Sequence, residues 1–187
     1  MSYLDDSVKA LGGFEGCVPW MYLDTRGFVT VGVGNMLPIV EAATALPFQY
    51  NGTGATQDQI ASDYFRVKGM AAGRLPKFYA CSTSVTLTQE EIQLLLYRRL
   101  PEFEQGLRQL YPGYDTFPDA AKLGLIDMAY NLGVYGLANN YPKFNAAVRA
   151  QDWATAATEC HRNGPSQERN DWTAGQFNLA ATGSIDA

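Results

Sequence analysis

The sequence predicts an α+β fold in which helix predominates: a small β-hairpin or sheet lobe near the N-terminus, a connecting helix, and a helical C-terminal lobe. Three observations predict it. Val18 to Gly34 is short, alternating and punctuated by glycine, the pattern of paired strands. Thr56-Gln57-Asp58-Gln59 and Thr88-Gln89-Glu90-Glu91 both place a Thr three residues ahead of a Gln or Glu, the signature of a helix start. Pro118 to Leu132 is apolar enough to form a buried central helix. A length of 187 residues suits one domain, here divided into a lobe over about 1–55, a connecting helix over about 56–75 and a helical lobe over about 88–178.

The elements follow in order. Leu4, Val8 and Leu11 are spaced for a first helix, with Gly12-Gly13 as its expected stop and Glu15 at its end. Trp20 and Tyr22, then Phe28-Val29-Thr30-Val31-Gly32-Val33, flank Thr25-Arg26-Gly27 as two strands flank a turn. Residues 36–55 read mostly as loop, with a short helix around Glu41 to Leu46. Ile60, Tyr64, Phe65 and Val67 form the apolar face of the next helix. Ile92, Leu95, Leu96, Leu100 and Phe103 line the helix begun at Thr88, which Pro101 should kink or interrupt. Within the apolar helix, Leu123, Leu125, Ile126, Met128, Ala129 and Tyr130 are the expected core. Three shorter helices fit Tyr141 to Ala150, Asp152 to Cys160 and Ser166 to Phe177, before a loose tail from Thr182 to Ala187.

Composition narrows the function classes. The chain is 47% hydrophobic and 18% charged, and no apolar run reaches the roughly 18 residues that a membrane span needs. A net charge of −5 and a pI near 4.8 argue against a nucleic-acid partner. The opening Met1-Ser2-Tyr3-Leu4-Asp5-Asp6 is acidic where a secretory leader would be basic and then apolar, so export by that route is not expected. Cys17, Cys81 and Cys160 lack metal-ligand spacing; three separate, part-buried thiols are preferred to one disulfide with a free thiol. His161 stands alone, which disfavours His-based triads and multi-His metal sites, and it reads as a polar residue at a helix end. No carboxylate cluster has calcium-loop spacing, and Gly32-Val33-Gly34 lacks a phosphate-binding pattern, so neither metal nor cofactor is expected.

The chemistry-bearing segment runs from Phe14 to Asn35. It sets Glu15 at a helix end, Asp24 in a glycine turn nine residues later, and Thr30 in a strand six residues beyond that. Two carboxylates in different surroundings are what hydrolysis of a glycosidic bond uses. The segment resembles the phage-type lysozymes of glycoside hydrolase family 24, whose signature reads Glu-Gly, then Tyr-x-Asp-x-x-Gly, then Thr-x-Gly-x-Gly-His. The resemblance extends through Leu87 to Leu95, Leu125 to Gly133, Gln151 to Ala157 and the arginine-bearing stretch Arg162 to Arg169. It implies a two-lobed lysozyme-like fold with the polymeric substrate in a cleft between the lobes. Asn35 stands where the family commonly has His, which implies a changed stability or pH response rather than a lost activity.

By that resemblance Glu15 is the general acid, and Asp24 and Thr30 hold the attacking water. Burial would raise the Glu15 pKa and an arginine, matched here by Arg169, would lower it; the sequence leaves the balance open. Tyr130, Asn131 and Arg169 are the expected saccharide contacts. Five of these have a plain alternative: a helix terminus for Glu15, a turn-former for Asp24, a β-branched strand residue for Thr30, core for Tyr130 and a helix-end cap for Asn131.

The implied activity is cleavage of the β-1,4 bond between N-acetylmuramic acid and N-acetylglucosamine in peptidoglycan by a monomer. The rivals are a lytic transglycosylase or chitin-active enzyme of the same fold, and an inactive glycan-binding module. Two settings fit: a phage endolysin released by a holin-type partner, or a secreted antibacterial effector paired with an immunity protein. In both, the protein is made in the cytoplasm and acts on the wall in the periplasm.

Overall fold

A computed structural model describes residues 3–183. The described residues are 63% helical and hold two small three-stranded sheets, which makes this the predominantly helical α+β fold that the sequence predicts. It divides into two compact units. One is Leu11–Arg98; the other joins the N-terminal residues up to Ala10 with the chain from Arg99 onward.

The Leu11–Arg98 unit begins inside helix α1 (Tyr3–Glu15). Gly12 and Gly13 do not stop this helix. Glycine costs about 1 kcal/mol in a helix interior and so weakens a helix without forbidding it. The stop is Gly16, whose φ of +72° is a left-handed conformation that favours glycine. Strands β1 (Val18–Leu23), β2 (Val29–Gly32) and β3 (Asn35–Met36) then form an antiparallel meander with β2 at its centre. Leu23 faces Val29 and Tyr22 faces Thr30, and the register shifts between Tyr22 and Val18, which faces Gly32.

Residues 36–55 hold more structure than the sequence predicts. A short helix α2 (Val40–Thr44) is followed by strands β4 (Gln49–Tyr50) and β5 (Thr53–Gly54), joined through Asn51-Gly52 with both residues at positive φ. Asn-Gly is a strong hairpin signal, and reading it as loop missed the pair. Helix α3 (Gln57–Lys68) carries the expected capping box between Thr56 and Gln59 and buries Ile60, Tyr64 and Val67. Phe65, expected on the buried face, is 60% exposed. Asp63 is fully buried and accepts the backbone N–H groups of Ser84 (2.5 Å) and Val85 (2.8 Å), which fixes strand β6 (Val85–Thr86) on β4.

Helix α4 (Gln89–Leu110) starts at the second capping box, with Thr88 N–H donating to Glu91 Oε2 (2.6 Å) and Glu91 N–H to Thr88 Oγ1 (3.2 Å). Pro101 does not end it. Pro101 is exposed, and so is Tyr97, the residue whose carbonyl loses its helical partner to the proline.

In the other unit the core is helix α5 (Asp119–Asn140), packed by α8 (Gln167–Thr182) and α6 (Pro142–Arg149), with α7 (Trp153–Glu159) lying against α6 and α8. Leu125, Ile126, Met128 and Ala129 are buried as expected, whereas Leu123 and Tyr130 are only half-buried. The expected end at Leu132 marks a real break, because Gly133 (φ 69°, ψ 153°) leaves helical geometry before the chain resumes it. Gly124 admits Phe177 so closely that a Cβ there would lie 2.7 Å from the ring, which explains how α8 seats on α5. Asp152 and Ser166 cap α7 and α8 through the N–H groups of Thr155 and Arg169. Of the expected loose tail, residues 184–187 lie outside the described residues.

Candidate active site

The turn between β1 and β2 is built around Asp24. Its Oδ1 accepts from the backbone N–H of Arg26 (2.9 Å) and of Phe28 (2.8 Å), while its own N–H donates to the Phe28 carbonyl (2.9 Å). Gly27 completes the turn at φ +80°, its N–H returning to the Asp24 carbonyl (3.0 Å). Asp24 is therefore the turn-former that its sequence context predicts, but only one of its oxygens performs that task. Oδ2 has no hydrogen-bond partner among the described residues. One carboxylate oxygen is fixed by the turn, and the other keeps its acceptor capacity.

Thr30 lies on the central strand β2, directly opposite Tyr22, so the hairpin register sets it two residues from the strand partner of Asp24's end. Its side chain is 2% exposed, and its hydroxyl donates to the Phe28 carbonyl (3.0 Å). With that proton committed, the hydroxyl oxygen meets any further group as an acceptor. Phe28 thus connects the pair, since its N–H goes to Asp24 and its carbonyl to Thr30.

Glu15 is the last residue of α1, three positions before β1 begins, and Gly16 redirects the chain from helix to strand at that point. The side-chain environment expected for Glu15 lies outside the described part of the structure. Glu15, Asp24 and Thr30 all belong to the Leu11–Arg98 unit; Tyr130, Asn131 and Arg169 belong to the other.

Tyr130 is held by its neighbours. The Phe103 ring centroid is 5.2 Å away, and the Arg99 guanidinium stands 5.5 Å from the Tyr130 ring while donating to its hydroxyl (3.4 Å). Asn131 is exposed, two residues before the Gly133 break. Arg169 is 4% exposed and lies in a buried ionic group. Asp127 Oδ1 accepts from its Nε (2.8 Å), with Nη2 2.7 Å away. Asp127 Oδ2 accepts from Arg162 Nη2 (2.6 Å) and from the Thr173 hydroxyl (2.7 Å).

Asp127, Arg162 and Thr173 were not singled out from the sequence. The signal was present: an aspartate inside Leu125-Ile126-Asp127-Met128-Ala129 must be buried with its helix and so requires a buried cation.

The cysteines are three separate thiols: Cys17 half-buried, Cys160 buried and Cys81 exposed where part-burial was expected. Burial pushes the Cys160 thiol up to about 11, against a smaller opposing influence of Arg162. Among the described residues no helix is long and apolar enough to cross a membrane.

The phage lysozyme family matches residues 12–172, and the chain belongs to that family. No curated protein matches the sequence. Family membership implies a glycoside hydrolase directed at peptidoglycan.

Proposed function

We propose that the protein is a muramidase that hydrolyses the β-1,4 bond between N-acetylmuramic acid and N-acetylglucosamine. The observation that carries the reading is the divided Asp24 carboxylate, with Oδ1 held by two backbone N–H groups and Oδ2 without a partner among the described residues. A water that donates one proton to Asp24 Oδ2 and the other to the Thr30 hydroxyl oxygen presents a lone pair to the anomeric carbon. Glu15, protonated, donates its proton to the leaving glycosidic oxygen as the C–O bond breaks. Water adds to the opposite face, Asp24 takes the proton that water loses, and the product has inverted configuration. Both carboxyl groups return to their starting states by exchange with solvent.

The test is digestion of purified peptidoglycan by the wild type and by Glu15→Gln, with soluble fragments identified by mass spectrometry. The expected result is fragments with a reducing N-acetylmuramic acid end, formed at least about 100-fold more slowly by the variant. Anhydro-muramic ends would identify a lytic transglycosylase, which does not use a water held by Asp24. Retention of the glycan without any fragment would identify a binding module.

A further inference from the structure

Residues 64–89 contain no Asp or Glu and four cations, Arg66, Lys68, Arg74 and Lys77, in a chain whose net charge is −5. The part of this stretch around residues 72–78 is anchored rather than loose. The Trp20 indole N–H donates to the Pro76 carbonyl (2.9 Å), and the Tyr79 hydroxyl to the Ala71 carbonyl (2.8 Å). Pro76 opens a 3-10 turn over Pro76–Phe78, whose Phe78 N–H returns to the Leu75 carbonyl (2.9 Å). Ala72 also lies against the tip of the β1–β2 hairpin, since a Cβ on Gly27 would stand 3.8 Å from the Ala72 Cβ.

On this anchored frame Leu75 is 80% exposed and Phe78 46% exposed, with Phe28 of the adjoining hairpin also exposed. Cations accompany the rings: Arg74 stands 5.7 Å from the Phe78 ring and Arg26 5.1 Å from the Phe28 ring. Large apolar side chains held in water beside cations, at a hairpin tip whose one carboxylate, Asp24, gives one oxygen to its own backbone, form an interfacial surface.

We infer that this surface, Arg26, Phe28, Arg74, Leu75, Lys77 and Phe78, docks on an anionic phospholipid membrane. Cations there meet lipid phosphates, and Leu75 and Phe78 enter the boundary between headgroups and acyl chains. A purely ionic polymer would use the cations and leave an 80%-exposed leucine in water, so the lipid surface accounts for both halves of the pattern.

Co-sedimentation with vesicles tests this. The wild type is expected to sediment with vesicles of phosphatidylglycerol mixed with phosphatidylcholine, to remain in solution with phosphatidylcholine alone, and to be released as salt rises. Arg74→Glu/Lys77→Glu should weaken binding at least about tenfold, given about 1 kcal/mol for each basic residue near an anionic surface. Leu75→Ser should weaken it about fivefold, with the melting temperature of either variant unchanged. Equal binding to neutral vesicles, no binding to anionic ones, or wild-type affinity in both variants would overturn the inference. So would a wild type held by peptidoglycan through these residues while ignoring vesicles. None of these outcomes depends on hydrolysis, so Glu15→Gln should sediment like the wild type.

Discussion

At the scale of one residue, the turn-forming role of Asp24 Oδ1 and the water-holding role proposed for Oδ2 can be separated by a single substitution. In Asp24→Asn the side-chain carbonyl still accepts from Arg26 and Phe28, so the turn should hold and the melting temperature should stay close to that of the wild type. An amide N–H₂ then replaces the oxygen that accepts from water, and peptidoglycan turnover should fall about 100-fold or more. A loss of activity matched by a loss of folding would return Asp24 to a purely structural role.

The thiols give a second residue-level test. Cys81 should react with a maleimide within the native state, Cys17 more slowly, and Cys160 only after unfolding. Because burial raises the Cys160 thiol from 9.0 to about 11, the native state holds its proton where the unfolded chain has lost it. That contribution to stability is complete below about pH 9 and is lost as pH rises through about 11, so melting temperatures should decline across that window and Cys160→Ala should flatten the decline. The elements that carry Glu15, Asp24 and Thr30 could be read locally, as a helix end, a glycine turn and a strand, and the family resemblance then singled out the three residues. That Phe28 links Asp24 to Thr30 through its two backbone groups could not, since it depends on hairpin register.

At the scale of elements, local chemistry was the better guide to where helices begin than to where they end. Both Thr capping boxes formed as read, and Thr88→Ala should cost about 1 kcal/mol by chemical denaturation, as it removes the acceptor for the Glu91 N–H. A midpoint unchanged within error would mean that α4 is held by its packing alone. Helix ends misled for a physical reason. Gly12 and Gly13 each carry a local penalty of about 1 kcal/mol and Pro101 one of about 3, and burial of Val8 and Leu11 on α1 and of Ile92, Leu96, Leu100 and Leu107 on α4, at about 1.5–3 kcal/mol for each side chain, outweighs them. Gly133, by contrast, does break its helix, because there the backbone takes up a left-handed φ. Phe65 shows the converse error, an apolar residue counted into a core face that the three-dimensional arrangement leaves in water.

On the scale of the whole molecule, two compact units carry separate cores, and the buried ionic group of Asp127, Arg162 and Arg169 belongs to one of them. Asp127→Asn would leave two buried guanidinium groups without their carboxylate and should destabilise the protein by about 3–5 kcal/mol. Hydrogen exchange should then accelerate first in α5 and α8, while amides of β1, β2 and α3 keep their protection longer; uniform acceleration would show that both units open together. The sequence by itself determined the fold class, the order of the main elements and the family likeness, through periodicity, capping and motif spacing along the chain, and it was that likeness which singled out Glu15, Asp24 and Thr30 for the proposed roles. Only the tertiary structure decided which oxygen of Asp24 is occupied, that Arg169 is held by Asp127, and that Leu75 stands in water on an anchored turn. Those facts depend on pairings between residues far apart in sequence, such as Arg169 with Asp127 or Trp20 with Pro76, and no local pattern records which distant partner a side chain will meet.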